Sequence, residues 1–217
     1  MTFSRIWFLM TVFLAVFPRY QMATPLTQLT MHSEATDFIG QGRDYFFDLT
    51  NTSSFTLTTY DYNRDGHPNV LFAQILTPTT FWNLLFGTDG LGEITEGFYS
   101  GARGAPGIGQ PLLSVGGDGR GDSNTTGEFT VIRAFFPPVT HAAPAPPGSS
   151  FAVTFRQNCC GTPALNGNLF GTLYYNYDPE MATVPEPSDI LLTSGGILAL
   201  MLARRVRKSV VHANVRA

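Results

Sequence analysis

Positive charge is scarce over most of this chain. Of 217 residues, 13 are basic and 16 acidic, and charged residues make up only 13%, about half the usual share for a soluble domain. Between residues 20 and 186, six arginines (Arg43, Arg64, Arg103, Arg120, Arg133, Arg156) face 15 acids, a net charge of −9. Such a surface repels a phosphate backbone, and no basic stripe interrupts it, which excludes nucleic acid as a partner of the body. Cysteine is nearly missing as well. The two present, Cys159 and Cys160, are adjacent, so they cannot close long loops into a disulfide framework, and two thiols fall short of a four-ligand metal site. His32, His67 and His141 are scattered outside any metal or triad pattern. No pair of carboxylates stands out from the 15, and no nucleophile is spaced from a base, so the residues point away from an enzyme.

What is there is apolar and strand-forming. Hydrophobic residues make up 43%, with 18 Phe, while 22 Gly and 15 Pro punctuate the chain. Aromatic runs broken by Gly, Asn and Pro favour short strands and turns over helices. The clearest run is Phe151-Ala152-Val153-Thr154-Phe155-Arg156, whose large apolar residues recur at every second position and so share one face of a strand. Tyr45/Phe47/Leu49, Phe55/Leu57, Val70/Phe72, Trp82/Leu84/Phe86, Leu113/Val115, Phe129/Val131 and Leu169/Leu173/Tyr175 repeat the pattern. Some eight strands without amphipathic helices between them predict an all-β body over 31–178, an antiparallel sandwich of jelly-roll type. Residues 24–30 read as a linker, 101–111 as a loop, and the Pro-rich 137–148 as a hairpin insertion.

The ends are different. MTFSRIWFLMTVFLAVFPRY sets one Arg before an apolar run from Ile6 to Phe17, the layout of a secretory signal, so 1–23 is expected to be a signal helix delivered to the Sec translocon and cut near Ala23. At the other end, residues 179–187 form a linker ending in Val184-Pro185-Glu186-Pro187. Ser188–Ala203 then carries Asp189 as its sole charge, and Arg204, Arg205, Arg207 and Lys208 open a basic tail over 204–217. Sixteen helical residues reach ~24 Å, short of a ~30 Å hydrocarbon core, so 188–203 is expected to be a marginal transmembrane helix held by the basic block on the cytoplasmic side.

Pro185-Glu186-Pro187, an apolar segment and Arg204-Arg205, in that order at the C-terminus, resemble the PEP-CTERM sorting signal of exported bacterial proteins. The resemblance implies an exosortase as partner, and a Gram-negative envelope or extracellular matrix as destination. The tail beyond Lys208, longer than the family's usual ending, is a departure. Three stretches of the body, MHSEATDFIGQGRDY, SVGGDGRGDSNTTGEFTV and FAVTFRQNCCGTPALNGNLFGTLYYN, resemble a secreted bacterial domain of no established activity. Its usual forms place Cys where this chain has Asp122, so a bridge from position 122 to Cys159 cannot form here.

Candidate sites are few. Asp61-Tyr62-Asn63-Arg64-Asp65-Gly66 matches the first half of a calcium loop, with oxygen ligands at Asp61, Asn63 and Asp65 and Gly at the sharp turn. Phe72 stands where the closing Glu belongs, and the same residues make good hairpin turns. Cys159 and Cys160 are expected to form a vicinal disulfide or stay as free thiols, with a bridge between chains as the alternative. Arg120-Gly121-Asp122 reads as part of a tight glycine loop. Trp82, Tyr60, Tyr62 and Tyr99 are candidate platforms for stacking sugars. The expected function is that of a non-enzymatic protein of the envelope or exopolysaccharide matrix, anchored through its C-terminus before processing. No cofactor is required, calcium being the one candidate. A lectin-like carbohydrate-binding module is the alternative, and a secreted hydrolase has the least support.

Overall fold

The computed structural model describes residues 24–88, 92–107, 109–121, 124–159 and 165–179. Apart from Pro179, the expected signal segment, the Pro-Glu-Pro linker, the apolar stretch 188–203 and the basic tail lie outside the described residues. The described body, Thr24–Asp178, is one compact unit. It contains eleven strands and, among the described residues, no helix: β1 (Leu26–Ser33), β2 (Asp44–Asp48), β3 (Ser54–Tyr60), β4 (Val70–Leu76), β5 (Phe81–Gly87), β6 (Gly97–Arg103), β7 (Leu112–Gly117), β8 (Thr126–Phe135), β9 (Ala142–Pro144), β10 (Ser150–Asn158) and β11 (Asn168–Tyr177).

All eleven join one mixed sheet in the order β2-β1-β11-β10-β8-β6-β7-β5-β4-β3-β9. Neighbours pair antiparallel except β6 and β7, which meet in parallel at a single residue pair, Arg103 with Leu112. The sheet is curled, so that strands far apart in the order meet through their side chains. Phe86 of β5 contacts Phe129 of β8 and Phe151 and Phe155 of β10, with ring centroids 5.5–5.9 Å apart. Trp82 of β5 lies edge-on to Tyr45 of β2 at 4.6 Å and near Phe47 at 6.4 Å. One core results, with Leu29, Ile75, Trp82, Leu84, Phe86, Val115, Phe129, Phe151, Val153 and Leu173 buried in it. Period-two alternation explains it: β7 reads half-buried, buried, half-buried, buried along its length, and β1 does the same.

Several boundaries differ from the sequence reading. Most of 24–30 is strand β1 rather than linker, paired on one side with β11 and on the other with β2. Two of the four inward positions of β1 are polar, Thr27 and Ser33, which dilutes the apolar period. The start of 101–111 belongs to β6, and the middle of the Pro-rich stretch 137–148 is the edge strand β9, paired with β3.

β7 shows how a buried strand lacking a full neighbour is satisfied. Beyond Leu112 its free side meets side chains in place of β6. The Gln157 amide, wholly buried, donates to the Val115 carbonyl (2.8 Å) and accepts from the Val115 N–H (2.7 Å), and Thr125 Oγ1 donates to the Leu113 carbonyl (3.2 Å). Buried backbone groups must be paired, and here an amide side chain from β10 does the work of a strand.

Candidate functional site

The turn between β3 and β4 carries the calcium-like motif. Asp61 is 2% exposed. Its Oδ1 accepts the N–H groups of Arg64 (2.6 Å) and Asp65 (3.2 Å), and its Oδ2 accepts that of Gly66 (2.9 Å). Arg64 and Gly66 take positive φ, 62° and 90°, a cost Gly66 avoids because it lacks a Cβ. Asp65 is engaged too: Oδ1 accepts the His67 N–H (2.9 Å) and Oδ2 an Asn63 amide proton (2.8 Å). The Asn63 amide nitrogen is thus turned to Asp65 while Asn63 Oδ1 accepts from Asn69 Nδ2 (3.4 Å), and Phe72 lies within β4. Among the described residues no three His, Cys, Asp or Glu side chains are grouped to hold a metal. These bonds close the turn.

Beside that turn is an aromatic cluster. Tyr60 and Tyr62 are near-parallel, with centroids 5.7 Å apart, and His141 meets Tyr62 edge-on at 5.5 Å. Tyr62 is 55% exposed. The other two aromatic candidates differ. Tyr99 lays one ring face on Phe129 at 4.6 Å, and its hydroxyl bonds the backbone of Thr95. Trp82 must be withdrawn as a sugar platform: it is 0% exposed, enclosed by Tyr45, Phe47 and Gly117. Alternation placed it correctly on the inward face of β5, and a large ring on that face is core.

Residues 31–45, 114–121 and 165–176 converge in space. Ser33 donates to Asp37 Oδ2 (2.9 Å), which also accepts the Gly40 N–H (2.6 Å), and the Gly42 N–H donates to Ser33 Oγ (3.0 Å). A Cβ on Gly40 would collide with the Ser33 side chain. From the second stretch, Arg120 Nε–H donates to the Ile39 carbonyl (2.9 Å), with Asp118 3.7 Å from its guanidinium. From the third, Asn168 donates its backbone N–H (2.8 Å) and side-chain amide (3.0 Å) to Glu34 Oε2. These bonds, the backbone one foremost, hold the Glu34 carboxyl below its ordinary pKa. Ser33 and Asp37 are 2% exposed, and together these bonds clasp β1, the β7 turn and β11.

Cys159 is buried and disulfide-bonded; its neighbour Cys160, like Asp122, lies outside the described residues. Arg204, Arg205 and the Pro-Glu-Pro residues do so too. Sequence reasoning overlooked Gln157, Asp37 and Asn69, all buried polar residues. Gln157 left a faint trace, a large amide on the apolar face of the Phe151–Phe155 run. Comparison of the chain with known protein families, curated proteins and solved structures finds no match.

Proposed function

We propose that this is an exported, non-enzymatic protein of the cell envelope or extracellular matrix, passed through the Sec translocon and sorted by an exosortase acting at Pro185-Glu186-Pro187. The observation that carries this reading is the order of parts along the chain: a signal-like start, an acidic β body, Pro-Glu-Pro, an apolar stretch and Arg204-Arg205. The compact body closing at Asp178, before the motif begins, supports it. In the finer architecture we propose, the curled sheet acts as a two-layered, jelly-roll-like sandwich, with β2-β1-β11-β10-β8-β6 as one layer and β7-β5-β4-β3-β9 as the other. The rings shared between β5 and the strands β2, β8 and β10 support this.

Pro185 and Pro187 lack N–H donors and have fixed φ, which favours an extended segment that a protease can grip. In an exosortase-bearing host the exported form should end near Pro-Glu-Pro. Replacing Pro185, Glu186 and Pro187 with Ala should leave a larger, membrane-retained form. Intact mass spectrometry decides: recovery of Arg216-Ala217 in the exported wild-type protein sinks the processing step. A second reading, carbohydrate binding, is favoured by the exposed Tyr62, stacked near-parallel on the half-buried Tyr60, since an exposed aromatic ring suits the apolar face of a sugar.

A further inference from the structure

The outer face of the six strands β2, β1, β11, β10, β8 and β6 carries a row that no local motif announces. Strand register aligns Phe46, Thr30, Thr172, Thr154, Thr130 and Phe98 across it, each paired with the next. Neighbouring strands lie ~4.8 Å apart, so four threonines form a regular ladder with a phenylalanine at each end. Their sequence neighbours Leu29, Met31, Phe129, Val131, Val153 and Phe155 point into the core, which turns the threonines outward. Phe46 and Phe98 are exposed. A shallow, open trough of 530 Å³ runs beside the ladder, lined by Thr30, His32, Asp44, Thr154, Phe170 and Thr172 among others. The Phe170 ring stacks with His32 at 6.5 Å.

We propose that this face binds a neutral polysaccharide, laid across the strands along the threonine row. The proposal rests on the matrix destination argued above. A threonine hydroxyl both donates and accepts, as sugar hydroxyls do, and its methyl group with the Phe rings can cover the C–H faces of sugars. A group repeated once per strand suits a polymer of repeating units, and an open trough suits a chain better than an enclosed monosaccharide.

Charge selects the class of glycan. The row has no ionisable group. In the adjacent row Asp44 is 2.6 Å from His32 Nδ1, and Arg156 pairs with Glu128 at 3.3 Å, so no free cation waits there for a uronate or phosphate. The acidic body adds repulsion. A protein partner would need an apolar, well-packed centre, where the middle of this row presents four hydroxyls and the exposed Phe46 and Phe98 stand at its ends.

Affinity electrophoresis of the full chain in mild detergent tests this, through native gels containing hydroxyethyl cellulose, galactomannan or mixed-linkage β-glucan, with alginate as the anionic comparison. At least one neutral gel should retard the wild type while alginate does not. Thr154→Val with Thr172→Val removes two hydroxyls at nearly constant shape in residues that favour strands, and should weaken retardation roughly tenfold. Thr154→Ser with Thr172→Ser keeps the hydroxyls and should retain it. Retardation by no neutral glycan, by alginate alone, or undiminished in the valine variant overturns the proposal. Loss in Tyr62→Ala with the valine variant intact also overturns it and moves the glycan to the tyrosine pair. Intact-mass analysis of processing is independent of all these outcomes, so failure of the ladder and failure of the export reading are told apart.

Discussion

Asp61 is the residue on which the β3–β4 turn depends. Its carboxylate satisfies three backbone N–H groups that no strand partner reaches, and it does so almost fully buried. Losing a cap of this kind leaves donors unpaired, so Asp61→Ala should destabilise the body by about 2 kcal/mol in urea titration. Because Asn63 and Asp65 are bonded to each other, millimolar Ca²⁺ should leave the melting temperature unchanged. A rise that disappears in Asp65→Ala would instead show ion binding through mass action. The positive φ at Arg64 marks the same turn as a place where local bonding outweighs the backbone's preference.

At the level of elements, the weakest seam is the junction of β6 and β7. One parallel residue pair joins them, and Gln157 bridges what remains. Gly127 has no side chain because a Cβ there would meet the Arg156 carbonyl and Leu113, which allows β8 and β7 to come close. Gln157→Leu fills the same volume but strands the N–H and C=O of Val115 in the interior, at a cost of about 2–4 kcal/mol. Amide exchange separates this from a general packing defect: protection should fall first at Val115 and its neighbours in β7. Uniform loss across all strands would show that the amide is not specific to that seam. At the edge of the sheet, β2 is bounded by Asp44 and Asp48, charges that discourage pairing with another copy.

For the molecule as a whole, Trp82 ties the curl together, since it sits on β5 yet packs against the rings of β2. Gly117, its partner across the β5–β7 pair, must stay bare: a Cβ there would enter the indole ring. Gly117→Ala should therefore cost about 1–3 kcal/mol by overpacking and shift the fluorescence of Trp82. Gly121→Ala, with open space around it, should stay within about 0.5 kcal/mol of wild type. Equal effects from the two substitutions would remove Trp82 from this role. The acidic charge spread over the same body acts at longer range, steering anionic polymers away while leaving neutral ones free to approach.

Some of this protein was written locally. Alternation over a few residues sufficed for most strands and for the all-β class, because a pleated strand buries every second side chain whatever its neighbours are. Asp61 to Gly66 declared a turn, since its bonds span only a few residues. The rest depended on register. β6, marked by glycine, and the three-residue β9, ending in proline, lack a clear period and become strands because longer strands offer them an edge, and β1 hid its period behind Thr27 and Ser33. Tyr60 and Trp82 look equally suited to a sugar in the sequence, yet one is partly exposed and the other is enclosed in the core. Thr30, Thr130, Thr154 and Thr172 are separated by long stretches of chain. Pairing of distant strands sets them in one line, and a shift of one residue in any strand would turn its threonine inward.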